Sequence, residues 1–142
     1  MFFYLNNLSN KRMGTESERV RRYLEEDLET CRPEDVETRL SELDTLVSTV
    51  RGEGIAADLA ALSTLGNETR YRLASALVDA DGELCVCELN AVVEVSESAI
   101  SHALADLREA GLVTRRKDGR WRMYRATETA TAIITALEEV DR

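Results

Sequence analysis

The chain has 142 residues, and 44% of them are hydrophobic, enough to form the core of one compact domain with an appendage. One Pro and seven Gly interrupt long runs of helix-forming residues, so we expect a mainly helical fold. No stretch approaches the roughly 20 consecutive apolar residues that span a membrane, and the apolar run 2–5 is too short for the core of a secretory signal. We therefore expect a cytoplasmic protein without a membrane segment.

The formal net charge of −9 and the pI of about 4.7 also fit an organism with a high-salt cytoplasm. A uniformly acidic surface would repel phosphate, so a DNA-binding protein of this composition must concentrate its basic residues. The segment 115–125 carries Arg115, Arg116, Lys117, Arg120, Arg122 and Arg125 against Asp118 alone. This local reversal of sign favours nucleic acid as a partner.

The first third of the chain predicts a tail and a helical extension. Residues 1–15 show no periodicity, and we expect a disordered tail or a segment upstream of the true start at Met13. Over 16–54 the apolar residues recur every three or four positions, the period of one helical face. This pattern predicts a helix from Glu16 to Thr30 and a second helix that begins near Pro33, since proline suits the first helical turn.

Residues 55–142 predict a winged helix-turn-helix domain, mainly α with one small β-hairpin. The expected helices cover 55–65, 68–80 after the cap Asn67, 84–93, 97–110 after the cap Ser96, and 129–140. The expected strands are 112–117 and 120–126. They flank Asp118-Gly119, a dipeptide typical of two-residue hairpin turns.

The helix after Ser96 has an apolar face and a polar face. The apolar face carries Ile100, Leu104, Leu107 and Gly111, which we expect to point inward. The opposite face carries groups that can donate to phosphates or base edges. We predict DNA contacts from Ser96, Ser98, Ser101, His102 and Arg108, with an ordinary solvated face as the alternative. His102 is the only histidine, and its place on this face favours DNA contact over a metal ligand.

The hairpin predicts a phosphate-binding wing. One face of its second strand carries Trp121 and Met123, and the other carries Arg120, Arg122 and Tyr124. We expect the first face to pack on the domain and the second to lie along the duplex backbone. The predicted phosphate-binding residues are Arg115, Arg116, Lys117, Arg120 and Arg122. A charge run is often only a solvated face, but this one opposes the sign of the whole molecule.

The pair Cys85 and Cys87 predicts a ligand site for soft ions. Cys-x-Cys in a cytosolic protein more often has a metal or redox role than a disulfide, and oxidation of this pair would give only a tight, strained ring. In a regular helix these side chains point about 200° apart, whereas in an extended helix start they fall on the same side. Two thiolates suit arsenite, antimonite, cadmium, lead, zinc or copper(I). Cys31 is the only other thiol and a possible third ligand, and packing as small apolar residues is the alternative.

Several segments together resemble one known family. They are Leu65-Gly-Asn-Glu-Thr-Arg-Tyr-Arg-Leu73, Glu83-Leu-Cys-Val-Cys-Glu-Leu89, Ser101-His102, Arg108-Glu-Ala-Gly-Leu-Val113, Asp118-Gly-Arg-Trp121 and Tyr124-Arg125. Over about residues 55–140 they are similar to the ArsR/SmtB family of winged-helix metal-sensing repressors. The resemblance implies a homodimer joined through helices 55–65 and 129–140. It also implies a repressor that leaves double-stranded operator DNA when a soft metal or metalloid binds Cys85 and Cys87.

The sequence departs from the family pattern at the metal site. The arsenic-type motif has a third Cys three residues after the second, where this chain has Asn90. The cadmium/lead type draws further thiolates from the N-terminal extension, where this chain has Cys31 alone. The choice among arsenite, antimonite, cadmium, lead and zinc therefore stays open. The last helix carries no His, so we predict no second metal site there.

Three other functions compete with this one. A redox-sensing or metal-independent regulator is the main alternative, although the acidic neighbours Glu83 and Glu88 should discourage thiolate formation. A winged-helix module that binds only protein would leave the basic hairpin unexplained. We do not expect an enzyme or an organic cofactor, because the sequence shows no phosphate loop and no nucleophile with a His partner.

Overall fold

The computed structural model describes residues 18–27, 32–50 and 52–140. The chain divides into two compact units, Met1–Gly52 and Glu53–Arg142. The expected tail 1–15 lies outside the described residues. Within the described ranges, no helix is both long enough and apolar enough to cross a membrane.

The described part of the first unit consists mainly of two helices. Helix α1 covers residues 18–27, and α2 spans Pro33–Val50. Proline opens α2, where its missing N–H leaves no internal hydrogen bond unmade. The apolar stripe of α2 is buried at Val36, whereas Val47 and Val50 are exposed.

The second unit has the predicted winged helix-turn-helix fold. Its elements are α3 (Ile55–Leu65), α4 (Glu68–Ala80), β1 (Leu84–Cys85), α5 (Val86–Val92), α6 (Glu97–Glu109), β2 (Val113–Asp118), β3 (Trp121–Ala126) and α7 (Glu128–Glu139). Helix α4 is central and packs against α3, α6, α7 and β3. The core is aliphatic, and its fully buried side chains include Leu73, Leu77, Leu104 and Ile134.

Polar caps define where the helices begin. The Asn67 side chain accepts a hydrogen bond from the backbone N–H of Arg70 at 3.1 Å, and Ser96 caps α6 in the same way. Thr127 caps α7, so this helix begins at Glu128, one residue before the predicted start.

Gly111 follows α6 with φ +74°, and it is exposed rather than pointing inward as predicted.

The sheet differs from the prediction by one strand. Three antiparallel strands lie in the order β1-β3-β2, and Leu84 pairs with Tyr124 while Cys85 pairs with Met123. The predicted helix over 84–93 was therefore wrong at its start, because residues 84–85 are extended and bonded to β3. A strand of two residues is too short to show a period, and only its partner strand stabilises it.

The hairpin turn lies one residue later than predicted. Asp118 pairs with Trp121, so the two-residue loop is Gly119-Arg120. Gly119 has φ +61°, and Arg120 is not among the positive-φ residues of the described chain. This combination fits a type II′ turn, which takes glycine at its first central position.

The predicted packing face of β3 was wrong. Tyr124 is 6% exposed and belongs to the core, whereas Trp121 is 54% exposed and Met123 is half-buried. Alternation separates the two faces of a strand but does not say which one meets the domain. Tyr124 lies over the helical core, whereas Trp121 lies at the tip of the hairpin. The face that carries Tyr124 is therefore the one that packs on the domain.

Candidate DNA-binding surface and cysteine site

Helix α6 presents the predicted polar face to solvent. Ile100, Leu104 and Leu107 are fully buried. The residues predicted to contact DNA are all exposed: Ser96, Ser98, Ser101, His102 and Arg108. The Ser96 hydroxyl accepts from the backbone N–H of Ala99 at 3.1 Å as the helix cap, and its own O–H can still donate. The surface can therefore approach a duplex without rearrangement of the helix.

The wing carries basic residues on the hairpin face that also holds the buried Tyr124, and their side chains are exposed. Lys117 lies directly opposite Arg122, and Arg115 lies opposite Tyr124 on the same face of the hairpin. Like charges in direct cross-strand pairs repel each other. The structure describes no ion pair for Lys117 or Arg122, so an external anion such as a DNA phosphate would relieve this repulsion. Arg120 is exposed in the turn next to them.

Arg116 differs from its basic neighbours because it is bound within the protein. Its Nε lies 3.0 Å from Glu83 Oε2 and 3.3 Å from Glu83 Oε1, and its Nη2 lies 3.1 Å from Glu83 Oε1. Nη2 also lies 4.0 Å from a carboxylate oxygen of Asp118. The hydrogen bonds from Arg116 hold the pKa of Glu83 below its ordinary value, and Glu83 in turn raises the pKa of Arg116. The guanidinium of Arg116 therefore already has an anionic partner within the protein.

The two cysteines of the motif converge at the start of α5. Cys85 ends β1 in an extended conformation, with φ −84° and ψ 165°, and Cys87 lies in the first turn of the helix. Their Cα atoms are 5.4 Å apart and the structure joins their sulfur atoms in a disulfide. The sulfurs meet because the helix begins after Cys85, the extended arrangement that chelation by residues i and i+2 requires.

The surroundings of the pair are asymmetric. Cys85 is 8% exposed, whereas Cys87 is exposed. The backbone N–H of Cys85 donates to Glu88 Oε1 at 3.1 Å. Both acidic neighbours therefore have partners: Glu88 binds this amide and Glu83 binds Arg116.

The described residues offer two thiols and no complete metal cage. Within them no group of three or more His, Cys, Asp or Glu side chains is arranged to hold an ion. The predicted third ligand, Cys31, lies outside the described residues. When reduced, Cys85 and Cys87 supply two soft donors at one point, which fits thiophilic ions and fits hard oxygen-seeking ions poorly.

The cysteine segment touches both predicted DNA-contacting elements. Helix α5 packs against α6, and β1 is hydrogen-bonded to β3 of the wing. Sequence reasoning found the first connection and missed the second. Glu83 and Arg116 are 33 residues apart, and their complementary charges were the only signal that could have linked them.

Comparisons with known proteins identify the family. Residues 67–115 match the family described as "Bacterial regulatory protein, arsR family". A Halobacterium salinarum protein, ArsR, assigned as an arsenical resistance operon repressor, is 49% identical over 121 residues, which cover 85% of this chain and 94% of that protein. The chain belongs to the ArsR family. ArsR2 of the same organism, assigned the same role, is 48% identical over 91 residues, covering 64% of this ArsR-family chain and 76% of that protein.

Solved structures agree with this assignment. Reduced HlyU from Vibrio cholerae superposes with a TM-score of 0.57 at 33% identity, over 64% of this chain and 94% of HlyU. The ArsR-family chain is therefore a winged helix-turn-helix transcriptional regulator and not an enzyme.

Proposed function

We propose that this ArsR-family protein is a cytoplasmic homodimeric repressor of an arsenical resistance operon. It binds double-stranded operator DNA and leaves it when a soft metal or metalloid binds the thiolates of Cys85 and Cys87. One observation carries the proposal: the segment that holds both thiols is at once a strand of the wing sheet and the start of the helix-turn-helix. The names of the two Halobacterium salinarum relatives support the arsenical role.

The DNA-binding surface consists of the exposed face of α6 and the basic face of the wing. The α6 residues are Ser96, Ser98, Ser101, His102 and Arg108, and the wing residues are Arg115, Lys117, Arg120 and Arg122. Helix α6 enters the major groove with its N-terminal part, as in other helix-turn-helix proteins. The wing follows the backbone, where its cations neutralise phosphates and displace counterions. Because the whole chain carries a net charge of −9, this local surface has to supply the attraction.

The inducer site is the reduced pair Cys85 and Cys87. Arsenite and antimonite are the inducers that the pair and the relatives favour, with cadmium, lead and zinc as further candidates. A bound ion holds the two sulfurs in one geometry. Cys31 is the proposed third ligand. The geometry of the sulfurs sets the position of β1 and of the first turn of α5, and both contact the DNA-binding elements. Release follows if the ligand-bound arrangement fits DNA less well than the free one.

Exposed apolar residues on α3 and α7 support the dimer. Leu59 and Leu62 of α3 are 60% and 57% exposed, and Ile55 lies on the same face at 37%. Leu137 of α7 and Val140, directly after this helix, are exposed as well. Large apolar side chains at helical spacing and in contact with water are characteristic of an interaction surface. A second copy of the chain, joined through helices 55–65 and 129–140, would cover them.

The test is fluorescence anisotropy of the protein's own upstream DNA, with reductant and at salt concentrations where the protein is folded. Arsenite, antimonite, Cd(II), Pb(II) and Zn(II) are added in turn to wild type and to the double variant Cys85→Ser/Cys87→Ser. We expect release by at least one ion from wild type and none from the double variant. Cys31→Ser tests the third ligand, and we expect it to weaken the response to the ion; an unchanged response would refute the role of Cys31.

Tight DNA binding that ignores every ion would refute the metal-gated repressor. A redox-controlled regulator is then the second candidate, because the structure joins Cys85 and Cys87 in a disulfide. The same titration without metal, with oxidised and with reduced protein, separates the two functions. A change in affinity on reduction alone supports the redox regulator.

A further inference from the structure

Glu83, Arg116 and Cys85 lie on one face of the three-stranded sheet. Met123 of β3 pairs with Cys85 on one side and with Arg116 on the other, so these residues form a row across β1, β3 and β2. Cross-strand partners in antiparallel sheets share a face. Glu83 lies directly before β1, and its hydrogen bonds with Arg116 place its carboxylate on this face too. Cys85 and Arg116 are two strand spacings apart, roughly 10 Å.

The contact between Glu83 and Arg116 joins β2 to the residue that directly precedes β1. β1 and β2 are not neighbours, and each is bonded only to β3. Three hydrogen bonds from one guanidinium to one carboxylate fix both distance and angle between them. The carboxylate is the less exposed partner, with 24% of its side chain accessible against 57% for Arg116. The contact is therefore a link between the cysteine segment and β2 that does not pass through α6.

We propose that Glu83 and Arg116 are positioning residues that couple the cysteine segment to the wing, and that Arg116 is not a phosphate-binding residue. The coupling function rests on the proposed metal-gated repression, whereas the assignment of Arg116 does not. Arg115, next to it on β2, faces the other side of the hairpin and has no ion pair in the described structure. The two adjacent arginines thus have different roles, one toward Glu83 and one toward DNA.

The first arm of the test counts phosphate contacts through salt dependence. Each phosphate contact adds about 0.9 to the slope of log Kd against log salt concentration. A substitution removes the contact from both protomers of a dimer, so the slope falls by about 1.8. We expect Arg116→Gln to leave the slope unchanged and Arg115→Gln to reduce it by about that amount. Circular dichroism shows that each variant is folded over the salt range used. A slope for Arg116→Gln reduced as much as that for Arg115→Gln would overturn the assignment.

The second arm measures transmission from the cysteines. The readout is the ratio of Kd values with and without arsenite, for Glu83→Gln, Arg116→Gln and the double variant. Couplings between sites are typically 5- to 150-fold, and we expect each single variant to lose at least fivefold of the wild-type ratio. The double variant should lose no more than either single one, because both remove the same contact. Full retention of the ratio in both single variants refutes the coupling.

Trp121 gives a readout without DNA. It is the only tryptophan of the chain and lies at the tip of the wing. We expect arsenite to shift its emission in wild type but not in Glu83→Gln. A shift retained in Glu83→Gln refutes the coupling.

If wild type responds to no ion in either readout, the proposed function and the coupling fail together. The salt slopes still decide whether Arg116 binds phosphate or Glu83.

Discussion

Replacing Thr127 by valine should destabilise the winged domain through lost hydrogen bonds alone. The hydroxyl caps α7 by accepting from the backbone N–H of Ala130 at 3.3 Å. It lies 2.8 Å from the carbonyl oxygen of Gly111 and 3.1 Å from that of Leu112, and its one proton is shared between them. This single group therefore ties the start of α7 to the turn between α6 and β2.

The magnitude follows from those contacts. Loss of a helix cap costs about 1 kcal/mol, and loss of a partly buried hydrogen bond costs about 1 kcal/mol more. Valine has the shape of threonine, so no cavity term is added. The expected change in the free energy of unfolding is about 2 kcal/mol. For a domain the size of Glu53–Arg142 this lowers Tm by roughly 8–16 °C.

The assay is chemical denaturation followed by circular dichroism, at one fixed protein concentration because dimerisation would make stability concentration-dependent. Thr127→Ser keeps the hydroxyl and should retain most of the stability. Thr131→Val is the matched control, since its hydroxyl bonds only to the Thr127 carbonyl oxygen at an exposed helical position. We expect a change within about 0.5 kcal/mol for this control. Equal effects of Thr127→Val and Thr131→Val would refute the reasoning.

Three further predictions concern the wing, the dimer and the thiols. Gly119→Ala places a side chain at φ +61° and should lower the free energy of unfolding by about 1 kcal/mol in denaturation experiments. Gly82 has no positive φ, so Gly82→Ala should leave the stability nearly unchanged. Equal losses of stability in the two variants would contradict the role of the positive φ. Leu59→Glu charges an exposed apolar face and should convert the dimer to a monomer in sedimentation velocity, whereas a persistent dimer would place the interface elsewhere. In the reduced protein, iodoacetamide should modify Cys87 at least about tenfold faster than Cys85, because accessibility controls the reaction of a thiol. Mass spectrometry over time measures both rates. Equal rates would contradict the difference in burial between the two side chains.

Local sequence signals predicted where α4 and α6 begin and which face of α6 is buried. Asn67 and Ser96 cap α4 and α6 as predicted, because a cap acts on an amide only three residues away. The three- and four-residue spacing of Ile100, Leu104 and Leu107 identified the buried face of α6, since helical geometry alone places them together. The exposure of His102 on the opposite face follows from the same geometry.

The tertiary structure alone decided the arrangement of the sheet. Leu84 and Cys85 are too few to show the alternation of side chains that marks a strand, and only their pairing with β3 makes them one. Alternation gave two faces for β3, but contact with the helical core selected Tyr124 over Trp121 as the buried aromatic. These outcomes depend on contacts between segments that are distant in the chain, which no local pattern encodes.

The same limit applies to the charges of the wing. Arg115 and Arg116 are identical in type and adjacent in sequence, so composition and spacing assign them one role. Folding separates them, because neighbouring residues of a strand point to opposite faces. Only one face of β2 brings an arginine to Glu83, 33 residues earlier in the chain. The sequence by itself determined that a basic hairpin follows α6, and the fold decided which of its cations already has a partner.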